Sequence, residues 1–258
     1  MELPLDVVDY IFGFLKSDPK SLVACSKAHP VFSQIIEKHL YYHIVIHTWI
    51  DLHWTCRGHR GYSLEPLHFI KLLSDTPQIV NHVRILQIVL HSPTIHNLEE
   101  IQGLSMFPLL ECIVLSGIIL HPFSWNELPQ CFRTAVEDCL CLPTLREVHV
   151  RNVLFPLSLL DNLVNVDCFS LSGSPQIHDC QADTYPQLQS LSVHTIDNHD
   201  LASFINWAKR RILKLQSLEC DYYSDEQIIF DLLEICSDTL NNLDLSFEHR
   251  YLQECELL

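Results

Sequence analysis

Glycine is scarce, six residues in 258, which leaves little material for a loop that cradles phosphate. No GxSxG, GxGxxG, Walker or HExxH pattern occurs, so no active site, cofactor or resident metal is expected. Basic side chains are outnumbered: 16 Lys and Arg stand against 32 Asp and Glu, a formal net charge of −16. So acidic a surface repels phosphate backbones, which argues against nucleic acid as a partner. Long apolar runs are missing too. Ile113–Leu120 is broken by Ser116-Gly117 and is far too short to cross a bilayer, so no membrane association is expected. The 11 cysteines lack a pairing rhythm, and the chain opens on the acidic Met1-Glu2 rather than a secretory leader. Both features predict reduced thiols and a cytoplasmic or nuclear protein.

What is present is apolar material, 48% of the residues, enough for a core-rich fold. The stretch from Glu2 to His43 reads as three short helices. Pro4 suits the first turn of the first helix, where the N–H has no partner and φ is already near the helical value. Asp18-Pro19 places a capping carboxylate before a proline at the first helical position. His29-Pro30 ends the second helix and starts the third. Leu5, Val7, Val8, Tyr10, Ile11, Phe12, Phe14 and Leu15 crowd the first helix, more than one core-facing stripe requires. About forty residues cannot bury all of this against themselves. One apolar face closes the bundle; the surplus faces a partner or the rest of the chain.

Leu3-Pro4, Ile11, Leu15, Leu22, Cys25-Ser26, Phe32 and Leu40 resemble the F-box, the adaptor-binding motif of SCF-type ubiquitin ligases. Many family members carry tryptophan where this chain has Phe32, which keeps a large aromatic anchor but loses the indole N–H. The resemblance covers residues 2–43 and implies a first strand at Tyr42–Ile46. It also implies a Skp-type adaptor as partner, and through it a cullin. Leu3, Pro4, Val8, Ile11, Leu15, Leu22 and Phe32 are the candidates for the adaptor interface or its support.

Beyond residue 43 the pattern apolar-x-x-apolar-x-apolar recurs seven times. The triplets are Val83/Leu86/Ile88, Leu110/Ile113/Leu115, Leu145/Val148/Val150, Val166/Phe169/Leu171, Leu188/Leu191/Val193, Leu215/Leu218/Cys220 and Leu240/Leu243/Leu245. Their spacing is regular except for one long step, which predicts an insertion around His121–Arg133. Helical periodicity lies between several of them: at Leu64–Leu73, at Leu201–Ile212, and at Ile228–Ile235, where Ser224 and Gln227 can form a capping box. Alternating strands and helices with short links predict an α/β fold with a curved parallel sheet. Residues 44–258 are thus similar to the irregular leucine-rich repeats that follow the F-box in many F-box proteins, though the asparagine that usually follows each strand is absent after most triplets.

Side chains alternate along a strand, so residues between the buried ones face the other, concave side. Ile85, Gln87, Val89, Cys112 and Val114 make an apolar patch at one end. Glu147, His149, Arg151, Ser170, Ser192, His194, Glu219, Asp221, Asn242 and Asp244 make the remainder polar. Of these, Glu147, His149, Arg151, His194, Glu219, Asp221 and Asp244 are the candidates for binding a protein target, with Glu219, Asp221 and Asp244 favouring a basic segment. The run Lys209-Arg210-Arg211 with Lys214 is read as helix-end electrostatics. His53-x-x-Cys56-x-x-His59 lacks the second knuckle of a structural zinc site, and Cys139-x-Cys141 is better explained by buried thiols.

The expected function is that of a substrate-receptor subunit, with no catalysis of its own. It would hold a target near a ubiquitin-conjugating enzyme and raise its effective concentration. The alternatives are a repeat scaffold or sensor whose first helices merely cap the repeats, and an enzyme with an unmarked thiol.

Overall fold

Seven of the nine strands of the main sheet coincide with a repeat triplet. The computed structural model describes residues 4–48, 61–91, 101, 104–117, 123–156, 158–159, 165–172, 187–194, 201–212, 214–221 and 226–246. Three helices come first: α1 (Leu5–Gly13), α2 (Pro19–Ser26) and α3 (Pro30–Leu40). Pro4 sits one position earlier than its residue type suggests. It is the N-cap of α1, with ψ at 141°, and its carbonyl accepts from the N–H groups of Val7 and Val8. Asp18 caps α2 by accepting from the Ser21 N–H at 3.2 Å, and the His29 ring accepts from the Val31 N–H to open α3. Val8, Phe12, Leu22, Ile36 and Leu40 are buried together at the centre of this bundle.

The rest is an α/β body. Its strands are β1 (His43–His47), β2 (Tyr62–Leu64), β3 (Ile85–Leu90), β4 (Cys112–Gly117), β5 (Phe123–Ser124), β6 (Glu147–Arg151), β7 (Val153–Leu154), β8 (Cys168–Ser172), β9 (Ser190–His194), β10 (Ser217–Asp221) and β11 (Asn242–Ser246). Four helices lie between them: α4 (Pro66–Asp75), α5 (Gln130–Leu140), α6 (Leu201–Ala208) and α7 (Glu226–Cys236). Among the described residues, nine strands form one sheet in the order β11-β10-β9-β8-β6-β4-β3-β1-β2, and every pairing is parallel. Apart from β2, which returns to the edge beyond β1, and β5 and β7, which pair with each other, chain order is sheet order. No helix among the described residues is long and apolar enough to cross a membrane.

The triplets point into one continuous core with Phe69 of α4, Phe132 of α5, Phe204 of α6 and Leu232 of α7. All six triplets before the last are buried in full; in the last, Leu243 is 42% exposed. The same pattern extends one turn further toward the N-terminus than the seven triplets, at Tyr41/Ile44/Ile46, with Ile44 and Ile46 fully buried.

A backbone feature makes the turns equivalent. The carbonyls of Tyr42, Arg84, Glu111, Arg146, Asp167, Gln189 and Gln216 each accept two successive N–H groups from the next turn. Each of these residues directly follows the first apolar residue of its pattern. Side chains at this position also meet: Arg84 pairs with Glu111 at 3.4 Å, Arg146 with Asp167 at 3.8 Å, and the Gln189 amide donates to Asp167 at 3.3 Å.

The long step between the second and third turns accommodates β5 and the start of α5. There Gly117 passes so close to the Asn152 carbonyl that a Cβ on it would lie well inside van der Waals contact, and Asn152 itself adopts a left-handed φ of 52°, which asparagine tolerates better than most residues. The helix at Leu201 stops at Ala208, not Ile212, so the basic run falls in the turn that follows. Arg211 is 2% exposed, stacks 4.6 Å from the Trp207 ring centroid and donates to the Trp207 carbonyl. It serves the helix end from within the core. Ser224, Leu3 and the His53–His59 cluster lie outside the described residues.

Candidate functional site

Two surfaces stand out, and they differ in chemistry. The first is on α1. At about 100° per residue, Val7, Tyr10, Ile11 and Phe14 fall within roughly 100° of one another, and Val8, Phe12 and Leu15 cluster about a different side of the helix. The structure divides them accordingly. Val8 and Phe12 are buried and Leu15 packs beside them, whereas Tyr10 is 70% exposed, Phe14 68%, Ile11 48% and Val7 39%. Leu5 falls within about 20° of Phe12 on the inner side, but at the start of the helix, and is also exposed. These five make up half of the large exposed apolar side chains among the described residues. Tyr10 and Phe14 stack edge to face at 4.9 Å, so the outer face is ordered by its own contacts. Asp9, between the two faces, accepts from Lys38 Nζ at 2.6 Å and lies 2.6 Å from the His39 ring, pinning α1 to α3. The Lys38 hydrogen bond leads in holding the Asp9 carboxyl below the usual carboxylate range.

The sequence-based candidates for this surface split three ways. Pro4 and Ile11 are exposed, Leu15 and Phe32 are half-buried against the bundle, and Val8 and Leu22 are interior. Val8 and Leu22 hold the helices together and do not present a surface. Phe32 meets Phe12 edge to face at 5.4 Å. Val7, Tyr10 and Phe14 are not among the sequence-based candidates; the helical angle that separates them from Val8 and Phe12 is the signal that finds them.

The second surface is the sheet face turned away from the helices. Register aligns Val45, Gln87, Val114, His149, Ser170, Ser192, Glu219 and Asp244 in one row. A neighbouring row runs His43, Ile85, Cys112, Glu147, Cys168, Ser190, Ser217 and Asn242. The expected apolar patch at the β1–β4 end is covered in part, with Ile85, Gln87 and Val114 half-buried. Val45 is fully buried, with Val89 and Cys112 at 7%, and the chain at Gly61 runs so close over Val45 and His43 that a Cβ there would clash with both.

Farther along, the face is polar and open. Glu147, Arg151 and Asp244 are exposed, while His149, His194 and Glu219 are half-buried. Asp221 ends β10. Two groupings form. Ser192 Oγ lies 2.6 Å from His194 Nε2 and donates to Glu219 Oε2 at 3.0 Å, and the same His194 nitrogen is 3.8 Å from Glu219. One ring nitrogen therefore meets both neighbours, whereas a nucleophile relay uses opposite nitrogens. The second grouping joins Cys112 to Glu147 and His149, whose donor atoms lie within 4.8 Å of one another. His149 Nε2 is 3.4 Å from Glu147 Oε2.

Burial, followed by the Glu147 carboxylate, pushes the Cys112 thiol up to about 12. Burial pushes Cys139 up to about 12 as well and raises Cys168 and Cys236. Thiols held in this way are poor nucleophiles. Burial also lowers the His149 pKa, against the opposing pull of Glu147. The Cys112–Glu147–His149 grouping was not found from sequence, because 35 residues separate its first two members; only superposing the repeats position by position brings them together. Neither the family models nor the curated proteins compared with this sequence match it.

Proposed function

We propose that this chain is the substrate-receptor subunit of an SCF-type ubiquitin ligase. In this reading residues 1–43 are an F-box that docks a Skp-type adaptor, and through it a cullin, and residues 44–258 are a leucine-rich-repeat solenoid that presents a protein target. The observation that carries the reading is the outer face of α1. Val7, Tyr10, Ile11 and Phe14 remain outside a bundle whose core is already closed by Val8, Phe12, Leu22, Ile36 and Leu40. A contiguous apolar face of this kind on a small module marks a contact for another protein, and each large side chain buried there contributes roughly 1.5–3 kcal/mol. The target is assigned to the polar stretch of the open sheet face, from Glu147, His149 and Arg151 through His194 and Glu219 to Asp221 and Asp244. The acidic members Glu219, Asp221 and Asp244 favour a basic segment. Charge reversal at these three should weaken target binding and flatten its salt dependence; unchanged binding would remove the target from this face. The function needs no catalysis by this subunit.

Co-purification of a Skp-type adaptor with the full chain tests the proposal, with a chain lacking residues 1–43 and the full-length Y10D/F14D variant as comparisons. The intact chain should retain the adaptor and both comparisons should lose it. An adaptor that ignores the intact chain, or that binds all three equally, would leave the repeat scaffold as the better reading.

A further inference from the structure

We propose that Cys112, Glu147 and His149 form a binding site for a zinc-class divalent cation on the sheet face turned away from the helices, between the buried Cys112 and the exposed Glu147. Cys112 opens β4 and lies directly opposite Glu147, the first residue of β6. His149 follows Glu147 by two positions, so its side chain emerges on the same face. The fold thus delivers one sulfur, one carboxylate oxygen and one imidazole nitrogen, all within 4.8 Å of one another.

In a tetrahedral zinc site, bond lengths of about 2.0–2.3 Å put neighbouring donors roughly 3.3–3.8 Å apart. His149 and Glu147 already stand at 3.4 Å. Closing the remaining gap takes a shift of the order of 1 Å, within the reach of side-chain rotation on a fixed backbone. The donor set itself selects the ion. Thiolate and imidazole favour zinc and its borderline neighbours over magnesium or calcium, which prefer oxygen alone. Cys168 stands on the other side of Glu147 in the same row, so the surroundings are rich in thiol. Arg151, farther along β6 on the same face, opposes a cation; the thiolate and the carboxylate together outweigh it. Binding replaces the Cys112 S–H bond with a metal–sulfur bond and releases that proton to solvent. Three protein ligands leave a fourth position for water or a side chain of a bound protein.

This site is independent of the adaptor reading, because it is tested on the isolated full chain. Cobalt(II) added to the reduced protein should bind at one equivalent, produce a sulfur-to-cobalt charge-transfer band in the near ultraviolet, and be displaced by zinc. C112S should abolish the band, and E147Q and H149A should each weaken binding at least tenfold, with melting curves confirming that the variants fold. Should C112S fail to fold, the two β6 variants still decide the matter, since Glu147 is exposed and His149 only half-buried. The triple variant H53A/C56S/H59A should bind cobalt as the parent does. Absence of the band, its survival in C112S, unchanged affinity in both E147Q and H149A, or its loss in the triple variant would each overturn the site.

Discussion

Single side chains here divide sharply by what surrounds them. Phe12 and Tyr10 are both large aromatics on α1, yet one is 5% and the other 70% exposed. Phe12→Ala should therefore cost about 3–5 kcal/mol, while Tyr10→Ala should leave the melting temperature nearly unchanged; paired thermal melts check both. Gly117→Ala should destabilise by roughly 1–3 kcal/mol, because the added methyl meets the Asn152 carbonyl, a backbone atom that cannot rotate away. Asp9 provides a pH test. Its folded pKa lies below its ordinary value of 3.8, so the folded chain binds fewer protons than the unfolded one as pH falls past that value. Its contribution is present above the ordinary value and is lost as pH drops through the lowered one. Since the Lys38 pair is largely exposed, the contribution is at most about 1 kcal/mol. Asp9→Asn should shrink the difference in stability between neutral pH and pH 3, measured by urea unfolding at each.

At the scale of elements, how much was legible in the sequence depended on whether the signal was local. The three opening helices and α4 follow from prolines, caps and periodicity within a few residues. The strands follow from a repeated triplet, and superposing the triplets gives the register of their pairings. Signals carried by distant segments were harder to read. β2 joins the edge beyond β1 with only Tyr62-Ser-Leu64 to mark it, and Val45 is buried because the chain at Gly61 crosses over it. α6 ends at Ala208, earlier than its periodicity predicts, because Arg211 folds back over Trp207 although Lys209 and Arg210 favour helix. For the candidate site the limitation was angular. The surplus of apolar residues in α1 was plain; the helical angles divide it into two faces, and packing against α3 shows that Val8 lies on the inner one and Val7 on the outer.

Across the described residues, the strands of the main sheet from β3 to β11 lie side by side in chain order, each paired in parallel with the next. The repeated carbonyl that accepts two N–H groups ties the turns from Tyr42 to Gln216, so an insult in the middle should spread and one at the end should not. Leu191→Ala, at a fully buried position in β9, should cost about 2–5 kcal/mol. Leu243→Ala, in the last described strand and 42% exposed, should cost under half as much. Urea titrations of the two variants check the ordering, and equal costs would mean that stability is not graded along the row.

The central claim is that the outer face of α1 is a contact for another protein, separate from what holds the bundle together. The most direct measurement is the affinity of the full chain for a Skp-type adaptor, by calorimetry, with Y10D/F14D beside it. The account predicts specific binding by the parent, at least a hundredfold loss in the variant, and the same melting temperature for both. Equal affinity in parent and variant, or a variant that loses its fold along with its binding, would contradict it.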